Sequence, residues 1–293
     1  MSNLAREAAL TPSRTRRFGR DLFACARLDL ADALRSRWFA FCAAVYVALV
    51  AVFLVAGSHE SALFGFTGVD RALFAFTHAL LVVLPLLALL ATGQLVTRAR
   101  DEGMLELILG HGASRGAWLA AALLVRSLVL FVPLACLVVA AALWGQVSAG
   151  GVPWSFVGRA LAVSGSLVLA FTGTGLAIST FARSGARALV GVLLVWALGV
   201  ALLDLGLIGL LLRGPLPPEV TLLLAAANPI EAARLGLLAG VSDVLSTLGP
   251  VGFYIATRVG AGPMLVLGTL WPAAVGLAIF ALALRRFCKG DVT

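Results

Sequence analysis

Six stretches of this 293-residue chain are each long and apolar enough to cross a lipid bilayer, and that restricts the fold more than any other feature. A hydrocarbon core of about 30 Å takes roughly 20 apolar residues of helix. Inside lipid the backbone must satisfy its own hydrogen bonds, so such stretches become helices. The spans read as Trp38–Gly57, Phe74–Thr97, Ala117–Trp144, Val157–Phe181, Ala186–Leu212 and Pro263–Leu284. Composition agrees. Hydrophobic residues make up 61% of the chain and charged residues 12%, against about 25% charged in soluble domains. A soluble enzyme, a disordered chain, a coiled coil and a disulfide scaffold are all excluded. The first residues run polar and basic for more than thirty positions, so the first span is expected to be retained rather than cleaved.

Orientation follows from the cations. With the N-terminus in the cytoplasm, 16 basic residues fall inside and 5 outside. The positive-inside rule therefore predicts both termini in the cytoplasm. An excess of arginine in a membrane protein points to loops and headgroups rather than nucleic acid. The four cysteines have no CxxC spacing, so neither a disulfide framework nor a thiolate metal site is expected. The three histidines are scattered, and no HExxH or GxSxG motif is present. No catalytic residue and no metal ligand is assigned.

Three segments outside the spans stand out. Residues Gly19–Arg37 predict an amphipathic helix, with Phe23, Leu30, Leu34 and Trp38 on one stripe and arginines mixed with Asp21, Asp29 and Asp32. It would lie in the membrane interface, as a plain anchor or as a docking element. Next comes the first cytoplasmic loop, 98–115. Its apolar centre Met104–Leu109 carries one acid, Glu106, and ends at Gly110 and Gly112, which predicts a short capped helix. An apolar face on a cytoplasmic loop is covered either by a soluble partner or by neighbouring helix ends. The glycines there lack the Gly-Lys-Ser/Thr of a phosphate-binding loop, so this chain holds no ATP by such a loop.

The third segment is the outer loop Arg213–Gly262. Asn228-Pro229-Ile230-Glu231 reads as a helix start, with Asn at N-cap, Pro at N1 and Glu at N3. That helix should run to about Ala239 and stop at Gly240, with a second short helix near Asp243–Leu248. These pieces are too short to span, and predict interfacial or re-entrant helices.

Two charges fall within spans, Arg126 and Asp204. Each costs at least ~2.5–3.5 kcal/mol to insert, so both are candidates for a transport path. At 1.5 Å per residue Arg126 lies roughly 15 Å deep and Asp204 roughly 27 Å from the inner side, too far apart for an ion pair. Asp204 would reach the outer interface, and Arg126 would face a subunit interface or a water-filled cavity. Ser164-Gly165-Ser166 is read as a close-packing motif.

The expected fold is thus all-α and polytopic: a basic N-terminus with its interfacial helix (1–37), then a six-helix membrane domain (38–293) with short outer-face helices before the last span. This order resembles the type-2 (ABC-2) permeases of ATP-binding-cassette transporters. The N-terminal run 26–39, Ala-Arg-Leu-Asp-Leu-Ala-Asp-Ala-Leu-Arg-Ser-Arg-Trp-Phe, is similar to theirs. So is Arg100-Asp101-Glu102-Gly103-Met104-Leu105-Glu106-Leu107-Ile108-Leu109, followed by Ser114-Arg115. A narrower likeness, to the NosY-like permeases of nitrous-oxide-reductase maturation transporters, rests on Asn228–Leu235, Leu248-Gly249-Pro250 and the end Arg285-Arg286-Phe287 with Asp291-Val292.

The resemblance implies a homodimeric inner-membrane permease of bacteria, with ATP and Mg²⁺ bound by a separate cytoplasmic ATPase and no cofactor of its own. Residues 98–115 would be the coupling helix, and Arg183 and Arg187 in Ala182–Arg187 a second ATPase contact. Asn228, Pro229, Glu231 and Arg234 would meet a periplasmic solenoid partner of the NosD-like kind; membrane lipid is the other partner, and nucleic acid is not one. The rival readings are an ABC-2 exporter of a drug, a lipid or another small molecule, and an ATP-independent carrier or embedded enzyme.

Overall fold

The computed structural model of the chain describes residues 14–58, 68–149, 154–202, 217–239 and 254–289. Every regular element among these residues is helical: α1 (Arg14–Arg35), α2 (Arg37–Ser58), α3 (Gly68–Thr92), α4 (Leu95–Asp101), α5 (Met104–Gly110), α6 (Arg115–Ala149), α7 (Trp154–Phe181), α8 (Gly185–Ala197), α9 (Pro218–Ala227), α10 (Pro229–Leu238) and α11 (Ala261–Lys289). Single π-helical turns follow α8 (Leu198–Leu202) and precede α11 (Ile255–Val259).

The predicted spans map onto these helices. Four helical stretches among the described residues are long and apolar enough to cross by themselves, and the pairs α1–α2 and α9–α10 are bent by 64° and 120° at short breaks. The fifth predicted span is seen as α8 and its π turn as far as Leu202; its remainder, including Asp204, lies outside the described residues.

The centre of the bundle is α7. It is the most buried of the long helices and is touched by α3, α4, α6, α8, α10 and α11. Its small residues explain why. In lipid, helix association relies on close van der Waals packing, because apolar surface gains little from leaving lipid for protein. Phe131 of α6 seats against Gly165, Thr92 of α3 against Gly175, and the backbone of α11 at Gly276 against Gly173. The Ser166 hydroxyl donates to the Thr269 carbonyl of α11, so the Ser-Gly-Ser motif does serve helix packing.

Breaks in the helices have local causes. Between α1 and α2 the Ser36 hydroxyl donates to the Ala33 carbonyl (2.7 Å) and accepts from the Phe39 amide (3.2 Å), ending one helix and starting the next. The amphipathic helix therefore stops two residues short of its predicted end, and Arg37 opens the span.

At the far end Pro217 stands at the N-cap and Pro218 opens α9 at N1, a helix start not read from the sequence. Asn228 ends α9 and caps α10 through Oδ1, which accepts from the Ile230 amide (3.1 Å). Its Nδ2 donates to the Gly199 carbonyl (2.8 Å), a group within the π turn after α8. One side chain thus fixes the sharp bend and ties it to the bundle. Almost all of α10 is buried, against α11, α7 and α3. Burial of α10 argues against a helix lying in the interface, and the 120° bend fits a re-entrant loop or a broken span. Gly240 and the second predicted helix, Asp243–Leu248, lie outside the described residues.

Candidate functional site

The distinctive loop 98–115 forms two short helices joined by a left-handed glycine. After Asp101 the chain must turn, and Gly103 (φ 68°) makes that turn without Cβ strain. Gly112 (φ 86°) does the same beyond α5. Leu105 is fully buried and roots α5 in the bundle. Asp101, Glu102, Glu106, Met104 and Leu107 are exposed, so α5 shows water an apolar strip edged by acids. Ile108 and Leu109 are half-buried, and Ser114 caps α6, its hydroxyl accepting from the Ala117 amide (3.3 Å).

The root of this loop is held from other helices. Gln94 precedes α4 without capping it by its side chain. The Ser179 hydroxyl of α7 takes that place, accepting from the amides of Val96 (2.8 Å) and Thr97 (3.2 Å). Two of the orphan N–H groups at the helix start are satisfied in this way. Gln94 Nε2 reaches the Gly185 carbonyl (3.4 Å), and Arg100 Nη2 the Thr180 carbonyl (3.5 Å). Arg100 is therefore turned toward α7. On the other side Asp21 of α1 accepts from the Ser114 amide at the start of α6 (3.2 Å). Arg183 and Arg187 are exposed on the α7–α8 turn, next to the Gly185 that Gln94 holds. The two loops predicted to meet one partner are bonded together at one end of the molecule. Ser179, Gln94 and Asp21 carried no sequence signal for these roles, since each acts on a distant segment.

The two predicted transport-path charges fare differently. Arg126 is buried and paired. Its Nε lies 3.1 Å from both oxygens of Asp29 and its Nη2 2.6 Å from Oδ1, while Nη2 also reaches Asp32 Oδ2 at 3.2 Å. The bidentate fork is the strong form of such a pair. Burial pushes the Asp29 carboxyl above its ordinary value, and the Asp32 charge adds to that; the Arg126 hydrogen bond and charge pull the other way. Asp204 lies outside the described residues.

The four residues predicted to meet an outer partner sit at the bend between α9 and α10 and along α10. Asn228 and Glu231 are buried, Pro229 is half-buried at N1, and Arg234 pairs with Glu231 one turn away.

Residues 23–292 match the family described as ABC-2 family transporter protein. A probable ABC transporter permease protein NosY from Stutzerimonas stutzeri is 27% identical over 268 residues, which cover 89% of this chain and 97% of that protein. A second, of the same description, from Pseudomonas aeruginosa strain PAO1, is 28% identical over 270 residues, with the same coverage of each.

Proposed function

The chain belongs to the ABC-2 transporter family, and from that premise we propose that this NosY-like permease subunit takes its ATPase on the α4–α5 end and serves the maturation of a periplasmic copper enzyme. The observation that carries the docking half is the exposed acid-edged strip on α5, fixed at its root by Leu105, Ser179 and Gln94. An apolar strip ringed by charge on a polar loop suits a protein partner. That partner is the cytoplasmic ATPase, which binds the ATP and Mg²⁺ that this chain has no loop to hold. This end then faces the cytoplasm, with both termini on the same side, and two copies of the chain form the transporter.

Coupling in this reading is mechanical. A push on α5 passes to α4, and from α4 to α7 through Ser179 and to the α7–α8 turn through Gln94. Both loops therefore move with the helix on which α3, α6, α8, α10 and α11 pack. Closure of the ATPase pair would be converted into a shift of α7 against α3, α6 and α11, one of the packed rearrangements that switch transporters between open sides.

Charge reversal tests the docking. Glu102→Lys with Glu106→Lys should lower the ATPase recovered with tagged permease by about tenfold or more, ~1.4 kcal/mol of binding. Membrane insertion should stay normal, because both side chains are exposed. Unchanged recovery would remove α5 from the interface. The cargo half rests on the two NosY relatives and on the resemblance of Asn228–Leu235. Deleting the gene in its host should leave nitrous-oxide reductase exported but without its catalytic copper centre, read from the enzyme's absorption spectrum. A normal copper centre would leave a permease that exports some other small molecule.

A further inference from the structure

The sequence mixes arginines and aspartates along α1, and the fold sorts them. Its three acids turn to α6. Asp21 accepts from the Ser114 amide at the start of that helix, while Asp29 and Asp32 hold Arg126. The arginines of α1 keep no such company. Arg20, Arg27 and Arg35 are exposed, and none has a carboxylate partner among the described residues.

The faces of α1 follow one another in order at roughly 100° per residue. Cys25 and Ala33 are buried and Asp29 is half-buried, which marks the side that lies on α6. Roughly 120° round from there stand Phe23, Leu30 and Leu34. All three are exposed, Phe23 by 73%. Arg20 and Arg27 come next, roughly 50° further on. The series Arg20, Phe23, Arg27, Leu30, Leu34 is spaced by three and four residues in turn, so its members are neighbours on one ridge.

The position of this ridge says what covers it. A single residue, Ser36, separates α1 from α2, which carries the first span, and the two helices are bent by 64°. Exposed apolar residues resume beyond the bend with Phe41 on α2. A helix so inclined to its span runs along the bilayer boundary, where acyl chains cover apolar side chains and arginines reach the phosphates beside them.

We propose that this ridge of α1 binds anionic phospholipid, with the guanidinium groups of Arg20 and Arg27 at headgroup phosphates and Phe23, Leu30 and Leu34 among the acyl chains. Each arginine held near the membrane gains roughly fivefold at an anionic surface. No acid on the ridge offsets that gain. A zwitterionic headgroup presents its own ammonium to the same arginines and gains less. The assignment needs only that α2 crosses the bilayer, not that α5 docks an ATPase.

The test uses the full chain, purified in mild detergent and stripped of lipid. Phosphatidylglycerol and phosphatidylcholine of identical acyl chains are titrated in, and bound lipid is read by native mass spectrometry. Phosphatidylglycerol should bind about tenfold tighter or more, the equivalent of ~1.4 kcal/mol. Arg20→Gln with Arg27→Gln should abolish that preference. Arg285→Gln with Lys289→Gln, which removes two exposed cations from the end of α11, should keep it. Melting curves show that each variant is folded. A second arm uses the unaltered chain, so it decides even if the α1 variant fails to fold. Exposed charges are screened by salt, and raising ammonium acetate from ~50 mM to ~500 mM should shrink the preference. Equal binding of the two lipids, a preference indifferent to salt, or one that folded Arg20→Gln with Arg27→Gln retains, overturns the proposal. So does a preference lost equally with Arg285 and Lys289.

Discussion

Gly276→Leu will separate α11 from α7, and little folded protein will survive extraction from the membrane. The reason is that the neighbour at this crossing is backbone. A Cβ added at Gly276 would stand 2.6 Å from the Ala170 carbonyl oxygen and 2.8 Å from its carbonyl carbon. No rotamer change can relieve that contact. On the facing helix a Cβ at Gly173 would meet the Gly276 carbonyl oxygen at 2.9 Å, so both chains are already as close as glycine permits. The helices must move apart, and the Ser166–Thr269 hydrogen bond goes with them.

Overpacking against side chains costs ~1–3 kcal/mol. Backbone against backbone belongs at the top of that range or above it. In lipid the loss is compounded, because helices that no longer touch have little other reason to associate. Gly158, on α7 itself, is the control. Nothing lies within 4 Å of an added Cβ there, so Gly158→Ala should fold normally and gain about 0.5–1 kcal/mol of helix stability. Gel filtration and thermal melting in detergent read both outcomes. A well-folded Gly276→Leu protein would show that the α7–α11 contact is dispensable.

That contact illustrates which parts of the structure sequence could reveal. Spans are legible because thickness and backbone chemistry leave one solution, and the long apolar runs became α2, α3, α6, α7, α8 and α11. The loop helix was legible for a similar reason. Gly103 and the Gly110–Gly112 pair bracket it, and glycine is the residue that adopts the left-handed turns found at 103 and 112. The cap at Asn228 was visible too, since Asn-Pro-x-Glu is a local pattern.

What stayed hidden is long-range. Nothing near Ser179 says that its hydroxyl will cap α4, more than 80 residues earlier in the chain. Nothing near Asn228 announces a bond to the carbonyl of Gly199. The burial of Glu231 was equally opaque: a helix of ten residues reads as interfacial or re-entrant until its neighbours are known. The partners of Arg126 are the clearest case. Asp29 and Asp32 were legible only as part of a mixed stripe, because their use as counter-charges depends on α1 packing along α6.

This last pairing also changes the cost of burying Arg126. A lone arginine at that position would need a water-filled cavity or another subunit, whereas Asp29 enters the structure with it and its side chain is only 15% exposed. Removing one member of such a pair costs ~3–5 kcal/mol, since the other charge stays buried and unmatched. Arg126→Met keeps the length and loses the charge, and should lower stability by about that amount. Asp32→Asn should cost no more than ~1 kcal/mol, because its side chain is 71% exposed and Asp29 still holds the arginine. The double change Arg126→Met with Asp29→Leu should recover most of the loss, because an apolar pair has no charge to desolvate.

The pH dependence separates a lost ion pair from lost packing. Burial already raises the Asp29 carboxyl above its ordinary value, and Arg126 is what opposes the rise. Without the arginine the folded protein holds the Asp29 proton to still higher pH than the unfolded chain does. A state that binds more protons is favoured as pH falls. The deficit of Arg126→Met should therefore shrink as pH drops below the raised Asp29 value, and grow to its full size above it. Packing loss has no such dependence. Thermal melting across that pH range in detergent reads the difference, and a deficit constant with pH would mean that Arg126 supports α1 by its bulk and not by its charge.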